Sequence, residues 1–275
     1  MRKHRLELRG GGGEPVDLWR TIVSHGVASL PPARIDEKER TYEYTLPGGW
    51  FRLAGGGVET RGRGVLPVVR RMLRLDEDLS GFYALARDDA GLAWVTRGAG
   101  RMLRSPTVFE DVVKTICTTN CTWSATERMV GALVAELGGG AFPSPEAMAE
   151  ADESFYREVV RAGYRGTYLR SLAASVASGD VDLEALNDSE VPDEEVAARL
   201  LALPGVGPYA TAHAMMLIGR YGRLILDSWT RPKYARLNGG RPVKDAAIER
   251  RFRRYGPWAG LAFWLFLTRD WVDDD

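Results

Sequence analysis

The hydrophobic period of this chain changes once, near Leu103, and that change limits its possible folds more than any other feature. Before it, the pattern is one of strands and turns. Thr41-Tyr42-Glu43-Tyr44-Thr45-Leu46 is rich in strand formers, Gly48-Gly49 is a turn signal, and Trp50-Phe51-Arg52-Leu53 reads as the return strand. The runs Gly10–Gly13 and Gly55–Gly57 mark further loops, and a helical patch interrupts the pattern around Val65–Leu75. The spacing predicts a small antiparallel sheet within residues 1–100.

Beyond Leu103 the period is helical. Ser105-Pro106 is a start signal, with Ser able to cap free amides and Pro suited to a first turn. Phe109, Val112, Val113 and Ile116 then fall on one apolar face. Further helices are expected over Ser124–Leu137, from Ser144-Pro145-Glu146, over Ser154–Ala162 and Thr167–Ser178, and from Pro192-Asp193-Glu194. No fixed period repeats, which excludes a solenoid. The expected fold class is α+β, mainly α: a β-rich subdomain over 1–100, then a bundle of about eight to ten helices over 101–275.

Composition narrows the function classes. Hydrophobic residues make up 45% and charged residues 27% of 275, which excludes wholesale disorder and fibrous architectures. No apolar run approaches the ~18 residues of a membrane span, and Met1–Arg5 has no signal-like apolar stretch. Cys117 and Cys121 are too few for a disulfide framework or a four-cysteine metal site, so no metal and no cofactor are expected. A cytoplasmic protein without a membrane partner is the expectation. The formal net charge is zero, yet residues 136–196 carry 14 acidic against 4 basic side chains, and residues 220–254 carry 11 basic against 3 acidic. Such polarity suits a basic face meeting an anionic polymer, and equally suits two differently solvated surfaces.

The most informative stretch is Leu203-Pro204-Gly205-Val206-Gly207-Pro208-Tyr209-Ala210-Thr211-Ala212. Gly205 and Gly207 permit a tight turn and close backbone approach between two helices, a hairpin over 196–221. Ala210, Ala214, Leu217 and Ile218 share one face of the second helix. Amides at its N-terminus have no internal partner, which suits a phosphate oxygen and carries no base preference. An ordinary helix–turn–helix corner fits the same residues. Eighteen residues after Tyr209, the apolar run Leu224-Ile225-Leu226 delivers Asp227 to a helix start. By itself Asp227 reads most simply as an N-cap; facing a cleft, it could stabilise cationic sugar or activate a water.

Hairpin and aspartate together resemble the helix-hairpin-helix–GPD superfamily of DNA base-excision glycosylases. Arg104–Glu110 through Ile116–Asn120 is similar to a helix and loop of the 8-oxoguanine type. Gly163-Tyr164-Arg165 resembles its Gly-Tyr-Arg turn, and Tyr255–Gly260 a late helix start. The likeness spans residues 65–270. It implies a two-lobed helical region, with double-stranded DNA containing a damaged base as partner, read as a monomer. The damaged nucleotide would be flipped at an unstacking cost of a few kcal/mol, with Asp227 catalytic and Asn120 filling the gap. Leu203, Gly205, Val206, Gly207, Thr211, Arg231 and Lys233 are the expected DNA contacts. Arg236, Arg241 and Lys244 would add salt-dependent affinity.

Two departures from the family pattern refine this. Bifunctional members place an imine-forming lysine where this chain has Tyr209, which implies a monofunctional enzyme. The late helix of oxoguanine enzymes supplies a base-reading glutamine and a stacking phenylalanine; here those positions hold Phe263 and Leu267. A ring in place of an amide favours cationic, alkylated purines through cation–π attraction of roughly 0.5–2 kcal/mol. Oxidised purines, or damage binding without turnover, are the alternatives. His25 and Gly26 are expected in a loop reaching the base pocket. His213 reads as core or as a phosphate contact, Trp123 and Trp229 as core or stacking residues, and the cysteines as packing.

Overall fold

The computed structural model describes residues 1–272; Asp273, Asp274 and Asp275, which end the cysteine-free tail, lie outside the described residues. Five strands, β1 (Arg2–Arg5), β2 (Ala33–Asp36), β3 (Thr41–Leu46), β4 (Gly49–Ala54) and β5 (Gly57–Arg61), form one antiparallel sheet in the order β1-β5-β4-β3-β2. The β3–β4 hairpin is the one the alternation predicts. Tyr42 pairs with Leu53 and Tyr44 with Phe51, so the buried side chains share the face that packs inward. Gly48 takes φ +69° in the two-residue turn, a left-handed conformation open to glycine at little cost.

Helix α1 (Leu18–Ile22) precedes β2, and α2 (Val65–Met72) packs on β4 and β5. With α3 (Ser80–Ala86) and a 3₁₀ turn at Ala93–Arg97, the regular structure between Val65 and Arg97 is helical, joined by turns; the strands end at Arg61. Then come α4 (Val108–Thr118), α5 (Trp123–Glu136), α6 (Pro145–Glu150) and α7 (Arg165–Ala177). The remainder is α8 (Asp193–Leu201), α9 (Pro208–Leu217), α10 (Thr230–Leu237), α11 (Asp245–Phe252) and α12 (Ala259–Thr268). Among the described residues, none of the helices is long and apolar enough to cross a membrane.

Two helix expectations need correction. The α4 cap is Thr107, whose hydroxyl accepts the Glu110 N–H at 3.2 Å; Ser105 instead donates its N–H to Asp111. The segment Ser154–Ala162 holds only one π-type turn, Phe155–Val159. Left-handed backbone at Arg161 (φ +57°) and Gly163 (φ +58°) breaks any longer helix there.

Three apolar clusters make up the interior. One lies under the sheet and α2, a second gathers α4, α5, α7 and α8, and a third gathers α3 with α10–α12. Helix α9 is shared between the last two. Ala210, Ala214, Met215 and Leu217 face the first helical lobe, while Ala212 and Met216 face the other. Every side chain from Ala210 to Leu217 is buried, so this helix is enclosed on all sides, with Thr211 and His213 its buried polar residues. Whatever α9 presents at its N-terminus therefore lies on the seam of two lobes. Arg101 and Arg74 lock the lobes to the N-terminal part. Buried Arg101 bonds Glu14 and the carbonyls of Arg74 and Glu77, while Arg74 bonds the carbonyls of Met102 and Leu217.

Candidate active site and nucleic-acid interface

The hairpin turn forms around Gly205, which cannot be anything larger. Gly205 has φ +79°, and a Cβ there would lie 2.7 Å from the Tyr168 ring. Gly207 is the exposed, extended residue before α9, with Pro208 in the first turn. Among the described residues, the N–H groups of Gly205 and Gly207 make no backbone hydrogen bond. The turn thus offers amides and the positive end of α9 to an anion. Leu203 and Val206 are buried, so only their backbone can face a ligand. Thr211, expected at the DNA surface, is 1% exposed: it sits one turn inside α9 between the lobes, which corrects that assignment.

Asp227 ends the segment leading from α9 to α10. That segment is clamped to α12, where Gly260 donates its N–H to the Tyr221 carbonyl at 2.7 Å. A Cβ on Gly260 would lie 2.1 Å from the Arg223 carbonyl oxygen, so only glycine permits the approach. Asp227 Oδ1 accepts the N–H groups of Trp229 (2.8 Å) and Thr230 (2.6 Å). Oδ2 has no hydrogen-bond partner among the described residues, and the side chain is half-buried.

Tyr209 and His213, on the same side of α9, feel the charge of Asp227. Burial raises the Tyr209 phenol, the Thr118 hydroxyl 3.5 Å away opposes this, and Asp227 adds to it. Burial pushes His213 down to about 4 against the pull of Asp227. The Tyr209 and His213 rings stand 5.8 Å apart, and His213 is 6.3 Å from Trp264. Trp264 in turn lies 5.7 Å from Trp229 and 5.8 Å from Trp271. A continuous aromatic floor therefore runs from the hairpin to the C-terminal helix.

Two expected pocket residues are not on that floor. Phe263 and Leu267 are wholly buried in the third cluster, Phe263 with its ring 5.3 Å from Phe252 and 6.0 Å from Tyr234. The row of rings instead includes Trp264, one position further along and itself buried in the same cluster, whose indole N–H donates to the Ser24 carbonyl at 2.8 Å. A step of one residue turns a helix by about 100°, which moves the side chain from one face to another. Because α12 is apolar on every side, periodicity selects no face, and Phe263, Trp264 and Phe266 all read as core.

His25 is 3% exposed, with Nε2 2.6 Å from the Leu103 carbonyl and its ring 6.2 Å from that of His213. The expected loop is a 3₁₀ turn, Gly26–Ser29, and Gly26 is exposed beneath the half-exposed Trp123 ring, 3.1 Å from where a Cβ would sit. At the end of α4, Asn120 is exposed with φ +47° and donates to the Tyr164 hydroxyl at 3.3 Å. Arg165 fixes this loop by bonding the Thr119 carbonyl at 3.0 Å while lying 4.6 Å from the Tyr164 ring. Tyr164, of the Gly163-Tyr164-Arg165 turn, is 55% exposed. Arg231 and Lys233 are paired internally, the first bidentate with Asp245 at 2.9 Å and the second with Asp270.

The family model described as HhH-GPD superfamily base excision DNA repair protein matches residues 113–261, more than half of the chain. The chain belongs to the HhH-GPD superfamily. The match takes in the hairpin, Asp227 and the start of α12. No curated protein sequence matches significantly. The HhH-GPD fold is repeated in 3-methyladenine DNA glycosylase from Archaeoglobus fulgidus, with TM-score 0.73 and 18% identity over 99% of this chain and 100% of that one. The apo 8-oxoguanine glycosylase/lyase of Clostridium acetobutylicum gives TM-score 0.74 and 20% identity over 97% and 99%. A Schizosaccharomyces pombe 3-methyladenine DNA glycosylase in complex with abasic DNA gives 0.56 and 18% over 72% and 99%. Enzymes of both substrate types share this HhH-GPD fold, so choice between them falls to the side chains.

Proposed function

We propose that this HhH-GPD protein is a monofunctional DNA N-glycosylase that flips a damaged purine, preferentially an alkylated one, from duplex DNA and hydrolyses its glycosidic bond. The observation that carries the reading is Asp227: Oδ1 is pinned by two amides, Oδ2 has no hydrogen-bond partner among the described residues, and the carboxylate charge is felt by Tyr209. As the C1′–N bond breaks, its electron pair leaves with the base and the sugar gains oxocarbenium character. A carboxylate about 4 Å away is worth roughly 4 kcal/mol at an effective dielectric near 20. Water then adds to C1′, and its proton passes to the carboxylate.

Tyr209 has no amine and forms no imine, so the product is an intact abasic site. The hairpin amides hold a phosphate on the strand, and Asn120 with Tyr164 stands ready at the gap. The aromatic floor of Tyr209, Trp264 and Trp229 supports the alkylpurine preference in place of Phe263, since ring faces attract cationic bases. Such bases are good leaving groups and need little acid assistance. Their selection then rests on binding.

The test is free-base release from defined duplexes carrying 3-methyladenine, 7-methylguanine or 8-oxoguanine, with and without alkali. Methylated purines should be released, and strands should break only after alkali. Release of 8-oxoguanine alone would replace the alkylpurine reading with the oxidised-purine one, and tight binding without release would make this a damage-binding protein. Borohydride trapping of a covalent adduct would end the monofunctional reading.

A further inference from the structure

His25 and His213 leave polar atoms unsatisfied in the interior. Both are more than nine-tenths buried, His25 Nδ1 has no hydrogen-bond partner, and neither nitrogen of His213 has one. Leaving such groups unpaired costs about 1–3 kcal/mol each. The two rings meet edge to face, at 89°, and that of His213 also lies 5.8 Å from the Tyr209 ring and 6.3 Å from Trp264.

Their protonation follows from the geometry. A backbone carbonyl can only accept, so His25 Nε2 carries the hydrogen that bonds Leu103. Burial, with His213 and the cations Arg74 and Lys114, pushes His25 down to about 3, so the ring is neutral near pH 7 and Nδ1 is a bare acceptor. Neutral His213 offers one donor and one acceptor. The pair therefore has two acceptor nitrogens to one donor, and a ligand completing it must bring an N–H group.

We infer that His25 and His213 form the hydrogen-bonding wall of the base pocket and select purines that carry an N–H donor. This rests on the glycosylase reading and deepens it. Alkylation of a ring nitrogen spreads positive charge onto the amino and ring N–H groups of the base. Those groups become charge-assisted donors, the kind a neutral imidazole acceptor binds best. A base such as 1,N6-ethenoadenine, whose amino group is consumed in a ring, has no N–H to offer.

Two measurements test the pair. In the first, wild-type protein labelled with 15N-histidine binds a duplex containing 2′-fluoro-7-methylguanosine, whose fluorine blocks hydrolysis. The Nδ1 resonance of His25 should move to a hydrogen-bonded position. Unchanged imidazole shifts on a bound duplex would overturn the inference and leave a buried water as the partner of these nitrogens. In the second, His213→Phe should lower kcat/KM for 7-methylguanine about 10- to 100-fold and shrink its advantage over 1,N6-ethenoadenine, while His213→Gln restores part of it. Equal loss on both bases would overturn the inference as well. No release from any duplex by the wild type would end the glycosylase reading, and the shifts, which need only binding, would then decide the pair alone.

Discussion

Asp227 and Thr230 cap one another: Asp227 Oδ1 accepts the Thr230 N–H at 2.6 Å, and Thr230 Oγ1 accepts the Asp227 N–H at 2.8 Å. The exchange has the form of a capping box at the entry to α10. It uses one carboxylate oxygen and leaves the other. In the proposed mechanism capping and catalysis draw on different atoms of one side chain, and the cap holds the second oxygen in place.

Asp227→Asn should separate the two roles. Asn keeps an oxygen for the Trp229 and Thr230 amides, so thermal unfolding should stay close to that of the wild type. Loss of the charge removes roughly 4 kcal/mol of transition-state attraction, about a thousandfold in single-turnover base release. Duplex binding should persist. Excision at an undiminished rate would remove Asp227 from the mechanism.

Phe263→Ala should behave as a core truncation. The ring is wholly buried against Phe252 and Tyr234, and such deletions cost about 3–5 kcal/mol. A Tm lower by roughly 10 °C follows, with no change in relative preference among lesions in the protein that remains folded. Trp264→Ala, by contrast, should alter that preference. Calorimetry and the lesion panel together check both.

Acid should destabilise the fold through its two buried imidazoles. His25 is held down to about 3 and His213 to about 4, against 6.5 for an exposed ring. Between about pH 6.5 and 4 the unfolded chain binds more protons, so stability falls as pH falls, by up to about 1.4 kcal/mol per unit for each ring. Above pH 6.5 this contribution is flat. Melting curves of His213→Gln across that window should be shallower than those of the wild type; an identical slope would contradict the assignment.

The exposed cations beyond α10 should set the salt dependence of DNA binding. Arg241 and Lys244 are exposed and make no ion pair among the described residues. Each phosphate that a side chain neutralises adds about 0.9 to the slope of log K against log salt. Arg241→Ala and Lys244→Ala should each reduce that slope by about this amount, uniformly across sequences, in a fluorescence titration at several ionic strengths.

Features set by local chemistry were legible in the sequence. The β3–β4 hairpin follows from alternation about Gly48-Gly49, and the Gly205 turn from a left-handed position that larger residues resist. Asp227 at a helix start follows from capping preference, and the family from the order of four motifs. Even where local signals misled, the miss was a local competition, as when Thr107 displaced Ser105 at the start of α4.

Which neighbours each face of a uniformly apolar helix meets is different in kind. On α12, Phe263 and Trp264 are both buried, and only packing sets the first against Tyr234 and Phe252 and turns the second toward Ser24, His213 and Trp229. The meeting of His25 with His213, 188 positions apart, was equally invisible. Sequence by itself determined the elements, the turn and the aspartate, because those depend on backbone preferences within a few residues. Tertiary structure alone decided which side chains meet beside the hairpin, because burial depends on neighbours that the chain brings together only once it has folded.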